Sequence, residues 1–141
     1  NTLMDNNDCI FCKIVNGEIP ASKAYEDEQT LAFLDIRPIN IGHILVVPKV
    51  HYKNIYETPE EVMVAMMRTV HKLSKATKEG LNADGINVKM NNDPAAGQDV
   101  FHAHIHIIPR TKDDGLAPWI AKRPYEDGEK DLVIKKITEA L

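Results

Sequence analysis

Apolar residues along the chain fall into short blocks whose period changes from element to element. Ile10, Phe11, Ile14 and Val15 form a helical stripe after the polar Asp8, which can cap, and Gly17 closes the segment, so a short helix is expected over 9–16. Ser22 to Glu26 and Thr30 to Leu34 read as two strands, and the polar Asp27-Glu28-Gln29 between them predicts a hairpin. A Pro-containing loop over 35–40 precedes a buried strand from His43 to Pro48, carried by Ile44-Leu45-Val46-Val47. Val62, Met66, Thr69, Val70 and Leu73 recur at helical spacing up to Gly80. Thr58 and Glu61 predict a capping box for this helix, with Pro59 at its first position. Further strands are expected over Ile86 to Met90 and Val100 to Ile108, and a last amphipathic helix from about Glu129 with Val133, Ile134, Ile137 and Leu141 on one face.

This order predicts an α+β domain, an antiparallel meander with one long helix against it. At 141 residues, 43% hydrophobic and 27% charged, the chain suits one domain with a core, expected over 8–141 with the last helix as an extension. Residues 1–7 are expected to be a disordered N-terminus or an expression remnant. The formal net charge of −4 gives no general attraction to nucleic acid or an anionic membrane, so an anionic ligand needs a local site. No apolar run approaches the ~20 residues of a membrane span and no leader pattern opens the chain, which predicts a cytoplasmic protein.

The candidate chemistry lies in His102-Ala103-His104-Ile105-His106, three of the six histidines at alternate positions. In a strand these imidazoles share one face, with Ala103, Ile105 and Ile107 on the other. A histidine row by accident on an ordinary amphipathic strand is a poor explanation; a catalytic or metal-binding row is better. Imidazole is a good nucleophile near neutral pH and a good leaving group once protonated, which suits attack on phosphorus. Flanking imidazoles can hydrogen-bond the oxygens on which charge accumulates.

The stretch Gly97-Gln98-Asp99-Val100-Phe101-His102-Ala103-His104-Ile105-His106-Ile107-Ile108 resembles the signature of the histidine triad (HIT) family. Cys9-Ile10-Phe11-Cys12-Lys13-Ile14, Glu18-Ile19-Pro20, Leu31 to Ile36 and Gly42 to Lys49 resemble it in the same order, with the look of the Hint-like branch. The resemblance covers about residues 8–110. It implies a HIT-like fold, a five-stranded antiparallel sheet with one long helix and short flanking helices, and a homodimer that joins two sheets.

The same resemblance implies roles. His104 matches the nucleophile, His106 the phosphate-contacting histidine, and His102 and His43 supporting histidines. Asp35 matches the carboxylate for the ribose hydroxyls. Ile10, Phe11, Ile14, Phe33 and Ile36 match the walls of the base pocket, and Asn91, Gly97, Gln98 and Asp99 the phosphate-side loop. Taken singly, Phe33 and Ile14 read better as core than as ligand contacts, Asp35 can be a turn residue and Gly97 a turn glycine. Asp99 departs from the family, where Ser or Thr is common. A carboxylate facing the site would repel phosphate, so the Asp99 backbone N–H rather than its side chain is expected to meet the ligand.

Cys9 and Cys12 form a C-x-x-C that can be a redox pair, buried thiols or two zinc ligands. No βαβ context surrounds it, which makes redox the weakest of the three. In some HIT proteins such cysteines pair with two histidines; the matched positions are His51 and His102, a set suited to structural zinc. His71, mid-helix, reads as a surface or packing residue.

The function expected is hydrolysis or transfer at the α-phosphorus of purine nucleotide derivatives, of the nucleoside phosphoramidase type, through a nucleotidyl-histidine. No cofactor is expected for the chemistry, and structural zinc is possible. A dinucleoside polyphosphate hydrolase is the rival enzyme, a nucleotide-binding scaffold the rival of another class, and a pure metal-binding protein a third. Neither nucleic acid nor membrane is expected as a partner.

Overall fold

The computed structural model describes residues 8–141. The segment 1–7, expected to be a disordered or expression-derived terminus, lies outside the described residues. The elements are α1 (Ile10–Val15), β1 (Lys23–Glu26), β2 (Thr30–Leu34), β3 (Ile44–Pro48), α2 (Glu60–Gly80), β4 (Gly85–Lys89), a 3-10 turn (Pro94–Ala96), β5 (Ile105–Arg110) and α3 (Glu129–Glu139). The strands make one antiparallel sheet in the order β1-β2-β3-β5-β4.

The sheet is covered on both faces at its centre, which is why β2 and β3 are almost wholly apolar rather than alternating. Ala32, Ile44, Val46, Ile105 and Ile107 face α2 and pack on Met66, Val70 and Leu73. Leu31, Phe33, Leu45 and Val47 face the other way, onto Phe11, Ile14 and the two cysteines of α1. The alternation of β5 therefore sends Ile105 and Ile107 to α2, while His106, opposite Leu45 in the register, points to the α1 side. A buried hydroxyl pair, Thr30 Oγ1 and Thr69 Oγ1 at 2.8 Å, ties β2 to α2.

Three sequence expectations are corrected here. The strand expected over Val100 to Ile108 begins only at Ile105 and runs on to Arg110. Residues 98–103 leave the ladder because their groups bond elsewhere: Ala103 N–H donates to the Tyr52 carbonyl at 2.7 Å, and the Gln98 amide donates to the carbonyls of Lys53 and Val100. Pro109 is tolerated inside β5 because β3 pairs only with residues 105–107, so at Pro109 the strand has a ladder neighbour, β4, on one side alone.

The capping box at Thr58 does not form. Thr58 Oγ1 donates to the Asn54 carbonyl at 2.7 Å, Pro59 occupies the cap position, and the helix starts at Glu60. At α1 the cap is Cys9 rather than Asp8, its sulfur accepting the Cys12 N–H at 3.2 Å.

Beyond β5, Asp114 gathers the chain. Its carboxylate accepts from Arg110 Nε at 2.7 Å, from the Asn40 amide and from the backbone N–H groups of Thr111 and Leu116. Arg110 first, then these other donors, hold the Asp114 carboxyl well below the usual range. The last helix forms where its periodicity predicts, but Leu132, Ile134, Ile137 and Leu141 are exposed. No helix among the described residues is long and apolar enough to cross a membrane.

Candidate functional site

Two clusters of imidazoles meet on the α1 face of the sheet, joined by the segment 102–104. In the first, His43 stands one residue before β3 and His106 is the second residue of β5, so strand pairing brings them together: His43 Nε2 and His106 Nδ1 are 2.9 Å apart. His43 Nδ1 accepts the Ile39 backbone N–H at 3.1 Å. That nitrogen then carries no proton, so the His43 proton sits on Nε2 and is donated to His106 Nδ1. His106 is left with its proton on Nε2, and that buried N–H has no partner among the described residues.

His104 lies beside this pair, its ring 5.0 Å from that of His106. Its Nδ1–H donates to the His102 carbonyl at 2.7 Å, which turns the Nε2 lone pair outward from the main chain. Phe11 closes the other side, edge-on to His104 with the ring centres 5.1 Å apart. Burial lowers the pKa of His104, opposed by the His102 carbonyl and by the charges of Asp99 and Asp35. Burial, reinforced by the neighbouring His104 and His43 imidazoles, brings His106 down to about 4, and burial likewise lowers His43. The arrangement offers one unprotonated nitrogen and one N–H donor side by side near neutral pH.

Asp35 sits at the rim, its Oδ2 3.9 Å from His43 Nε2 and its Oδ1 accepting the Arg37 N–H. Ile36 is 90% exposed and Ile10 44%, two apolar side chains open to a ligand, whereas Phe11, Ile14 and Phe33 are buried between α1 and the sheet. Gly97 adopts a left-handed backbone (φ 95°), and its carbonyl accepts from the Asn91 amide at 3.5 Å. The Gln98 side chain is committed to main-chain groups at both ends, with Oε1 accepting the Asp93 N–H at 2.8 Å. Asp99 is exposed and lines a cavity of about 590 Å³ with Cys9, Ile10, His51, Lys53 and Glu57.

The second cluster joins Cys9, Cys12, His51 and His102, all buried, with one donor atom of each within 4.8 Å of the others. His102 Nε2 donates to the Pro48 carbonyl at 2.8 Å, so its Nδ1 is the nitrogen with a lone pair. That Nδ1 lies 3.3 Å from Cys9 Sγ, 3.4 Å from Cys12 Sγ and 3.2 Å from His51 Nδ1. Around a tetrahedral zinc, ligand atoms stand roughly 3.3–3.8 Å apart, so four donors at these separations with the second nitrogen of His102 anchored on a carbonyl fit a closed site. Burial of the ring, ahead of its neighbours, holds His102 at about 4, which leaves it neutral as a ligand must be. Asp35, His43 and His106 also converge within 4.8 Å, but there a shared proton already bridges the two rings.

The sequence named every side chain in these clusters. It could not name the Ile39 N–H, the carbonyls of Pro48 and His102, or Lys53 and Glu57 of the cavity. Main-chain partners carry no residue-type signal. His71 is exposed on α2, as expected of a surface residue.

Comparison with known proteins agrees with this geometry. The family model of the HIT domain matches residues 16–113. Adenylylsulfatase HINT3 of Arabidopsis thaliana is 48% identical over 110 residues, 78% of this chain and 56% of that protein, so the chain spans little more than half of that relative. The crystal structure of SMU.412c from Streptococcus mutans superposes with a TM-score of 0.90 at 40% identity, over 95% of this chain and 85% of that one. A zinc-bound histidine triad family protein from Mycobacterium smegmatis superposes with a TM-score of 0.76 at 38% identity, over 96% and 99% of the two chains. With the sheet, the histidine row and the family model in agreement, the chain belongs to the HIT family.

Proposed function

We propose that this protein hydrolyses or transfers nucleotides at the α-phosphorus of purine nucleotide derivatives, with His104 as nucleophile. One observation carries the reading: the Nδ1–H of His104 is held on the His102 carbonyl, so Nε2 is the free lone pair, while His106 beside it keeps an N–H with no partner among the described residues. A nucleophile and an anion donor thus stand side by side.

In the first step Nε2 of His104 attacks phosphorus. The P–N bond forms, the bond from phosphorus to the leaving group breaks, and the departing atom takes the electron pair and a proton from solvent. The imidazolium of the nucleotidyl-His104 intermediate is stabilised by its Nδ1–H on the His102 carbonyl. The His106 N–H donates to a non-bridging phosphoryl oxygen, and its orientation is maintained from behind by His43 and the Ile39 N–H. Water then attacks phosphorus and loses a proton to solvent, the P–N bond breaks with its electron pair returning to Nε2, and His104 leaves neutral. Asp35 binds the ribose hydroxyls; Ile10 and Ile36 meet the base, backed by the buried Phe11, Ile14 and Phe33; and the loop of Asn91, Gly97, Gln98 and Asp99 serves the phosphate side, with the Gln98 side chain holding the loop's main chain.

Nucleoside phosphoramidates are the leading substrate class. The similarity to an adenylylsulfatase makes adenylyl sulfate, which shares the α-phosphorus and changes only the leaving group, a second candidate. A panel of adenosine phosphoramidate, adenylyl sulfate and diadenosine tetraphosphate, run with the native protein and His104→Ala, tests the reading. Turnover of at least one, abolished in the variant, is the expected result. AMP binding without turnover of any of the three rejects the enzyme reading in favour of a nucleotide-binding scaffold.

We further infer that Cys9, Cys12, His51 and His102 hold zinc, which cross-links α1 to the histidine segment and takes no part in the chemical steps. The donor set and its spacing support this, as does the zinc-bound Mycobacterium smegmatis relative. A cytoplasmic setting, where thiols stay reduced, suits such a site. A homodimer is inferred from the free edge of β4 and the neighbouring exposed apolar residues of α2, Val64 and Met67. Light scattering on the native protein and on Met67→Glu tests it, with dimer and monomer expected respectively.

A further inference from the structure

We infer that the Cys9/Cys12/His51/His102 site acts as a positioning device for the nucleophile: its occupancy by metal holds His104 in the single tautomer and orientation that attack requires. This goes beyond a structural role for zinc, and it rests on the reading of His104 as the nucleophile.

The connection runs through one residue. The His102 ring faces the two sulfurs and His51 through Nδ1, while its main-chain carbonyl, in the same residue, accepts the His104 Nδ1–H at 2.7 Å. His102 Nε2–H is anchored on the Pro48 carbonyl at 2.8 Å, so the ring has no freedom to turn once its other nitrogen is ligated. A second connection runs through α1. Phe11 lies between the two cysteines in sequence, and its ring is edge-on to both His102, at 6.0 Å, and His104, at 5.1 Å. Fixing Cys9 and Cys12 therefore also fixes the ring that closes one side of His104.

Residues 102–104 precede β5, so no strand ladder holds this stretch of backbone. Its main-chain tie is the Ala103 N–H to the Tyr52 carbonyl, one residue along from His51. Of the two anchors of the segment, His102 belongs to the cluster and Tyr52 directly follows its His51. If the cluster is empty, the His102 ring is held at Nε2 by Pro48 but no longer at Nδ1, so the His102 carbonyl can shift, its bond to His104 Nδ1–H weakens, and the proton redistributes between the two ring nitrogens. A protein with its proton on Nε2 has no lone pair aimed at phosphorus. His51, Cys9 and Cys12 are positioning residues in this scheme, acting through His102.

The test reads the ring directly. Nitrogen-15 NMR of the imidazoles, with adenosine phosphoramidate kinetics alongside, compares zinc-loaded native protein, the same protein with zinc exchanged for cadmium, His51→Ala and His51→Cys. The zinc protein is expected to show one His104 tautomer with the proton on Nδ1. His51→Ala is expected to lose metal, mix the two tautomers and lose kcat by roughly ten- to a hundred-fold, with KM changed by less than about two-fold.

His51→Cys retains four donors and is expected to recover most of the metal and of the single tautomer. Cadmium, a larger ion in a protein that stays folded, is expected to displace the His104 Nδ1–H resonance. A single Nδ1–H tautomer in metal-free His51→Ala, or His104 resonances unmoved by cadmium, overturns the proposal. A parallel loss of nucleotide affinity and kcat overturns it too, because that marks general loosening of the fold. Should His51→Ala fail to fold, the cadmium exchange decides. If no substrate is turned over by native protein, the proposed function fails while the ring measurements still decide the coupling.

Discussion

The two histidine clusters use the same side chain in opposite ways. Around Cys9 and Cys12, both imidazoles turn Nδ1 inward on a common point, and the set is closed, buried and shared among three segments of chain. Around His104 the rings form a chain, Ile39 N–H to His43 to His106, that ends on an N–H with no partner among the described residues. Convergent lone pairs make a ligand site; an ordered series of donors and acceptors makes a polarised one, with a proton available at its end. What separates them is the partner of the second ring nitrogen: a carbonyl behind His102 directs its lone pair to the cysteines, whereas a main-chain N–H behind His43 directs a proton toward His106.

The comparison is broken most completely at His104. His104→Ala removes the nucleophile and is expected to reduce kcat by at least about a thousand-fold with nucleotide affinity retained, measured by steady-state turnover and AMP titration. His106→Ala removes the terminal donor of the chain, and a loss of roughly a hundred- to a thousand-fold in kcat is expected with little change in KM. Equal losses in both parameters would instead mark His106 as a binding group.

Removing the zinc proposed for the closed cluster is expected to lower stability as well as kcat. Chelation is expected to destabilise the protein by about 3–4 kcal/mol, near 10 °C in Tm, read by calorimetry with and without added zinc. A Tm indifferent to both would count against a bound metal.

A pH series sharpens the difference from the polarised side. His106 resists protonation until about pH 4 and His43 is shifted the same way, while in the unfolded chain both titrate near 6.5. Between those values the unfolded chain binds more protons, so stability is fully present above about 6.5 and falls as the pH drops toward 4. Urea midpoints across that interval are expected to decline, and less steeply in His106→Asn. The smallest effect is expected at Asp99. Its side chain is exposed, so Asp99→Ser is expected to change kcat/KM with a phosphoramidate by only a few-fold. A large loss would show that the carboxylate itself handles the substrate.

The hydrophobic pattern located the strands, the long helix and the hairpin closely, because each is a local periodicity set against a two-sided core. It failed where a local rule had a stronger competitor. Thr58 is a good cap by type, yet the Asn54 carbonyl takes its hydroxyl; residues 100–104 alternate like a strand, yet Tyr52 and Gln98 draw them out of the ladder. The last helix is amphipathic as its spacing predicts, but Ile134, Ile137 and Leu141 of its apolar face stay exposed.

The side chains of both clusters were legible in the sequence, since histidine and cysteine at these spacings have few other uses. Which nitrogen of each ring carries the proton was not. That depends on the Ile39 N–H and the carbonyls of Pro48 and His102, main-chain groups present in every sequence and meaningful only once folding has aimed them. The sequence by itself determined the family, the sheet and the reactive residue types. The tertiary structure alone decided how His102 serves both clusters, with its ring in one and its carbonyl in the other, because only packing can bring α1 and the segment after β3 to a single residue ahead of β5.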